Sequence, residues 1–163
     1  MKLLLLLLLS FQCVANDSAK SPHYIYLTTH AETQHKKINP PLSGCGRLRA
    51  LQLSTLLSYS NIENIYSTTR LSAMETANPI ARSYKIPIKI FTENLLDSLA
   101  IRVIKDDKNV LIVADSDTIK FLAEFISKQE LSSSHKNNQH LLYQIMLLDE
   151  HKILTILKQP LEC

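Results

Sequence analysis

Five consecutive apolar residues, Val110-Leu111-Ile112-Val113-Ala114, most constrain how this chain folds. A short run without polar alternation reads as a strand buried on both faces, as at the centre of a parallel sheet. Such a strand needs helices above and below it, and the rest of the sequence supplies them. β-prone runs at Tyr24–Leu27, Ile62–Tyr66 and Pro87–Phe91 alternate with helical patterns. Ser43 is placed to cap a helix whose apolar positions are Leu48, Leu51, Leu53, Leu56 and Leu57. A second helix runs from about Arg70 to Tyr84 with Leu71, Met74, Ala77, Ile80 and Ala81 at helical spacing, and Met74 is expected in the core. Pro79 predicts a kink or an early end there. Glu93 to Ile104 reads as a third helix with Leu95, Leu96, Leu99 and Val103 inward, and Asp117 as the cap of a fourth, through Ile126. Gln129 to His140 reads as a mobile polar loop. Leu141–Leu148 and Lys152–Leu157, joined through Asp149-Glu150, form a hairpin signal. The order predicts a three-layer α/β/α sandwich, its sheet mostly parallel with a C-terminal antiparallel hairpin.

The first residues have a different character. Lys2, the leucine run Leu3 to Leu9 and the small or polar residues Ser10 to Ala15 form the pattern of a signal peptide, with cleavage expected after Ala15. The alternative is a retained anchor, although the run is short for a membrane span. Residues 16–22 are expected to be a flexible N-terminus of the mature chain and residues 23–160 a single domain. Loss of Lys2 lowers the formal charge of +3 by one, which points neither to nucleic acid nor to an anionic membrane surface as a partner. The expected location is periplasmic or secreted. Export would permit a disulfide between Cys45 and Cys163, and both can equally be unpaired.

The chemistry concentrates at the end of the first strand. There Tyr24-Ile25-Tyr26-Leu27-Thr28-Thr29 stops at His30, followed by Ala31-Glu32 and a polar loop. A side chain at a buried strand's end is held rigidly yet faces a cleft. This segment resembles the strand-to-loop motif of the histidine phosphatase superfamily, branch 1 (phosphoglycerate mutase-like). Pro40-Pro41-Leu42-Ser43-Gly44-Cys45-Gly46-Arg47 resembles the segment that opens that family's first helix. Ile65-Tyr66-Ser67-Thr68 with Glu75-Thr76-Ala77 resembles its second strand and helix, and Asn109 to Thr118 its fourth strand and turn.

The resemblance implies that His30 is the phosphate-accepting nucleophile. It also implies that two arginines and a second histidine would surround the phosphate, and in this chain those positions hold Thr29, Ser72 and Asp115. Arg70 is the candidate to compensate. As a helix residue two positions from Ser72 it would not share that residue's face. Glu93 and Asp97 are the carboxylates available as general acid, while Thr92 occupies the position expected for it. Neither a cofactor nor a metal is implied. The expected function is that of an exported phosphatase-fold protein, catalytically impaired or inactive, with at most weak binding of a small phosphorylated ligand. The alternatives are a slow phosphomonoesterase working through His30 and a binding module that uses the former cleft.

Ala114-Asp115-Ser116-Asp117-Thr118 also fits the nucleophile motif of haloacid dehalogenase-like phosphatases, but only 45 residues follow Thr118. His30 with Asp115 and Asp117 has the donor types of a small metal site. The plainer reading is a hydrogen bond between His30 and Asp115. Cys45 is expected to be structural, and His23, His35, His135, His140 and His151 to be solvated.

Overall fold

A computed structural model describes residues 21–35, 38–132 and 140–160. The expected leader, much of the polar loop before the hairpin, His135, Cys13 and Cys163 lie outside the described residues. In chain order the elements are β1 (His23–Thr29), α1 (Gly44–Leu56), β2 (Asn64–Ser67), α2 (Leu71–Tyr84), β3 (Ile88–Ile90), a 3-10 turn (Glu93–Leu95), α3 (Leu96–Lys105), β4 (Val110–Ala114), α4 (Ser116–Ser127), β5 (Leu141–Leu148) and β6 (His151–Lys158). The six strands form one sheet in the order β3-β2-β4-β1-β5-β6. β1 and β2 flank β4 in parallel, β3 continues the parallel part, and β5 and β6 add the antiparallel edge.

The apolar run of β4 divides by pleat between two cores. Val110, Ile112 and Ala114 meet Leu99, Val103, Ile119, Leu122 and Ile126 of α3 and α4. Leu111 and Val113 meet Leu53 of α1 and Ala73, Ala77 and Ile80 of α2. This is the sandwich expected from the alternation of elements. It brings the C-terminal ends of β1, β2 and β4 to one edge of the sheet, where α/β proteins form their clefts.

The helices differ from expectation in which faces they bury. In α1 the buried residues are Gly46, Arg49, Ala50 and Leu53. Leu48, Leu51 and Leu56 are exposed, because an ion pair through Arg49 claims the inner face. Leu71, Met74 and Leu95 are also exposed, so Met74 is not a core residue. α2 runs unbroken across Pro79: one missing N–H leaves the helix held by buried Ala73, Ala77, Ile80 and Ala81 on both sides of it. The cap of α4 is Asp115, not Asp117, and its side chain accepts from the Thr118 N–H. Asp117 lies inside the first turn, where a carboxylate suits the helix dipole. His23 is buried, with Nδ1 3.6 Å from Asp107, rather than solvated.

Candidate functional site

The loop that carries His30 is held from behind by a dense set of polar contacts. The His30 N–H donates to the Ala114 carbonyl at 2.9 Å, extending the β1–β4 register by one residue. His30 Nδ1 lies 2.9 Å from the Ala31 carbonyl. A carbonyl only accepts, so Nδ1 is the donor in this bond, and in the neutral ring Nε2 is the nitrogen with the lone pair. The Ala31 N–H donates to Thr76 Oγ1 at 3.0 Å, and that hydroxyl donates in turn to the Ser72 carbonyl at 2.7 Å.

Glu32 takes the next anchor. Arg49 donates through Nε and Nη2 to the Glu32 carboxylate at distances from 2.6 to 3.0 Å. Arg49 is only 2% exposed. Burial acts to raise the Glu32 pKa, but the Arg49 hydrogen bonds and charge, with His140 3.7 Å away, hold it below the usual carboxylate range. The Ser43 N–H donates to the Glu32 carbonyl at 2.8 Å. Ser43 then caps α1 by accepting from the Gly46 N–H at 3.0 Å. Gly46 is required there: a Cβ would lie 2.1 Å from the Glu32 carbonyl oxygen. Glu75 accepts from the Leu42 N–H at 2.6 Å and ties the far end of the loop to α2.

The front of the site is sparser. Thr29 is buried, and its hydroxyl has no hydrogen-bond partner among the described residues. Ser72 is buried inside α2. Asp115 follows Ala114 directly, as His30 follows Thr29, and Thr29 and Ala114 are register partners. The two residues are therefore neighbours at the cleft, yet their described hydrogen bonds run elsewhere. His30 turns to Ala31, while Asp115 accepts from the Thr118 N–H at 3.0 Å and the Thr118 hydroxyl at 3.2 Å. The expected His30–Asp115 bond is replaced by a helix cap.

Asp115 has a second partner, Glu93. A hydrogen bond between the two carboxyl groups, with burial and the Asp115 charge, raises the Glu93 pKa against the opposing pull of Arg70. Burial works to raise Asp115 too, but the Thr118 N–H, the bond to Glu93, the Thr118 hydroxyl and the Arg70 charge lower it on balance. Glu93 is thus the carboxyl brought beside Asp115 at this cleft; Thr92 lines the same cavity and Asp97 does not. Arg70 has extended backbone, φ −64° and ψ 131°, and precedes α2. The restriction expected of it as a helix residue does not apply, and its charge reaches both carboxyls. Asn39, Thr68, Thr69, Arg70, Phe91, Thr92 and Glu93 line a cavity of about 460 Å³ at this edge.

Among the described residues no group of three or more His, Cys, Asp or Glu side chains is arranged to hold a metal ion. Cys45 is disulfide-bonded, which rules out a free thiol. Sequence reasoning missed Arg49 and the unpaired Thr68 hydroxyl. An arginine amid helical leucines was the available signal for Arg49. Nothing local distinguishes Thr68.

Comparison with known proteins agrees with this geometry. Residues 25–97 match the model of the histidine phosphatase superfamily (branch 1). No curated protein matches the chain in sequence. The fold is similar to that of the alpha-ribazole phosphatase from Shigella flexneri, with TM-score 0.67 and 16% identity over 86% of this chain and 100% of that one. It is also similar to a mycobacterial glucosyl-3-phosphoglycerate phosphatase, with TM-score 0.65 and 12% identity over 85% and 100%. A third similar structure is the protein histidine phosphatase SixA complexed with tungstate, with TM-score 0.65 and 11% identity over 83% and 96%. The matched segment and the shared three-layer architecture make this chain similar to the histidine phosphatase superfamily, branch 1, in sequence over residues 25–97 and in fold.

Proposed function

We propose that this is an exported histidine phosphatase-fold protein whose phosphoryl-transfer activity is strongly reduced or lost, and whose cleft serves to bind a ligand. The observation that carries this reading is the paired Asp115 and Glu93 carboxyls beside His30, faced by one arginine. Phosphoryl transfer needs preorganised positive charge around the equatorial oxygens. His30 keeps its place at the end of β1, so the nucleophile is formally present. A dianionic phosphate at Nε2 would meet the Asp115 carboxylate. Two unit charges about 4–5 Å apart repel by roughly 3–4 kcal/mol at an effective dielectric near 20. Each lost charge-stabilising donor costs about 10²–10³ in rate, and losses within one site do not multiply.

Export is supported by the leader-like pattern at residues 1–15 and by the Cys45 disulfide, a bond typical of oxidising compartments. N-terminal sequencing of the secreted or periplasmic form should begin at Asn16, and recovery of the intact chain from the cytoplasm would contradict this. For the chemistry, hydrolysis of p-nitrophenyl phosphate by the mature protein should be indistinguishable from that of His30→Ala. Turnover that disappears in His30→Ala would instead establish a working phosphatase.

A further inference from the structure

The two edges of the sheet are finished differently. β3 spans only Ile88–Ile90, and the side chain of its central Lys89 reaches back to Asn64 Oδ1 at 2.6 Å. A short edge carrying a lysine is a poor template for a further strand. β6 runs from His151 to Lys158, pairs with β5 along its whole length and has no strand on its other side among the described residues. Ile153, Ile156 and Leu157 are 52%, 36% and 37% exposed. A long apolar edge strand of this kind offers its unpaired N–H and C=O groups to another chain.

Which of those groups point outward follows from one bond. The Gln159 N–H donates to the His140 carbonyl at 2.7 Å, in line with the β5–β6 register. Residues of an antiparallel strand direct their N–H and C=O alternately to one side and the other. The odd-numbered residues from His151 to Leu157 therefore bond β5, while Lys152, Leu154, Ile156 and Lys158 present theirs to solvent. Pro160 has no N–H and ends the usable edge. A second copy related by a two-fold axis through the sheet must set these same residues against each other. Centred on Thr155, the pairing would place Lys152 opposite the partner's Lys158, two like charges. Centred on Ile156, it would spend Lys152 on the partner's Pro160. Shifts further toward either end leave most of the outward groups unpaired. Centred on Leu154, the pairing sets Lys152 against the partner's Ile156 and brings Lys158 beside the partner's Glu150 at the hairpin turn.

We propose that β6 pairs antiparallel with β6 of a second copy of this chain, centred on Leu154, so that one sheet runs through a two-fold dimer. Leu154 then meets the partner's Leu154 on the axis, and Lys152 and Ile156 exchange backbone bonds across it. On the other face Ile153 lies opposite the partner's Thr155 and diagonal to the partner's Leu157, so the exposed apolar side chains of both copies form one stripe. Opposite charges, Lys158 with Glu150, meet at both ends. The two lysines thus select the register. The pairing uses no residue of the His30 site and is independent of that site's chemistry.

Sedimentation of the full mature chain between about 1 and 100 µM should show monomer giving way to dimer, since a contact confined to strand edges is smaller than a standard interface and dissociates on dilution. Ile156→Pro removes an outward N–H and no bond to β5, and should weaken dimerisation by about tenfold. Glu150→Lys sets like charges together at both ends and should weaken it several-fold. Glu150→Lys combined with Lys158→Glu should restore the wild-type dissociation constant. Within one chain these two side chains lie at opposite ends of β6, so the rescue reports a contact between copies. A chain that stays monomeric throughout this range, a dimer unaffected by Ile156→Pro, or a charge reversal without rescue would each overturn the proposal. Circular dichroism verifies the fold of each variant. Glu150 and Lys158 are exposed, so the charge series tests the pairing apart from any damage the proline does to the strand.

Discussion

The two sides of the His30 loop differ in how completely they are built. Behind the loop each anchoring residue is bonded. Ala31 bonds Thr76, Glu32 bonds Arg49, Ser43 bonds Glu32, and Gly46 leaves room for the Glu32 carbonyl, which a Cβ there would meet at 2.1 Å. In front, at the cleft, the hydroxyls of Thr29 and Thr68 have no partner among the described residues, and Glu93 and Asp115 shift each other's pKa in opposite directions. The contrast separates two tasks usually performed by one site: holding a histidine in place, and surrounding what it attacks with positive charge. This chain retains the first and departs from the second.

Substitutions should reproduce that division. The largest effect is expected from Glu32→Ala, which leaves the buried Arg49 guanidinium without its carboxylate and should cost about 3 kcal/mol in urea unfolding. A cost near zero would mean that the pair does not anchor the loop. Gly46→Ala comes next. Its new methyl meets backbone 2.1 Å away, and a loss of about 1–3 kcal/mol is expected as α1 and the loop move apart. Thr76→Val removes the acceptor of the Ala31 N–H and should cost about 1–2 kcal/mol. On the front, Thr29→Val and Thr68→Val should be the mildest, within about 0.5 kcal/mol of wild type, since no bond is lost. A front variant as damaging as Gly46→Ala would erase the distinction.

Acidity should separate the two sides as well. The Glu32 pKa is lowered on folding, so its contribution is present above the unfolded value and is lost as pH falls through the folded one. The Glu93 pKa is raised, so its contribution is present at low pH and is lost as pH rises through the folded value. Thermal melts across pH 3–7 should therefore lose their acid limb in Glu32→Gln and keep it in Glu93→Gln.

Much of this contrast was legible in the sequence, for unequal reasons. The sheet could be read because β4 is apolar on both faces, and Ser43 could be read as the cap of α1 because its bond to the Gly46 N–H is local; the bonds of Glu75 to Leu42 and of Thr76 to Ala31 join distant segments and were not foretold. The three altered positions, Thr29, Ser72 and Asp115, were visible by resemblance alone. The burial of α1 was not legible. Its leucines occur on several faces, and only the long-range reach from Arg49 to Glu32 determines which face turns inward. The coupling of Glu93 to Asp115 was equally hidden, since it links a turn after β3 to the end of β4, 22 positions apart in the sequence. Arg70 was misread for a local reason. A helix boundary one residue later frees its side chain from the face argument.

The central claim is that the scaffold is intact while the charge around His30 is not. A direct test compares p-nitrophenyl phosphate hydrolysis by the mature wild-type chain with that of the triple variant Thr29→Arg, Ser72→Arg, Asp115→His, each with and without His30→Ala. The account predicts turnover only in the triple variant with His30 present. Turnover by the wild-type chain that disappears in His30→Ala would contradict it.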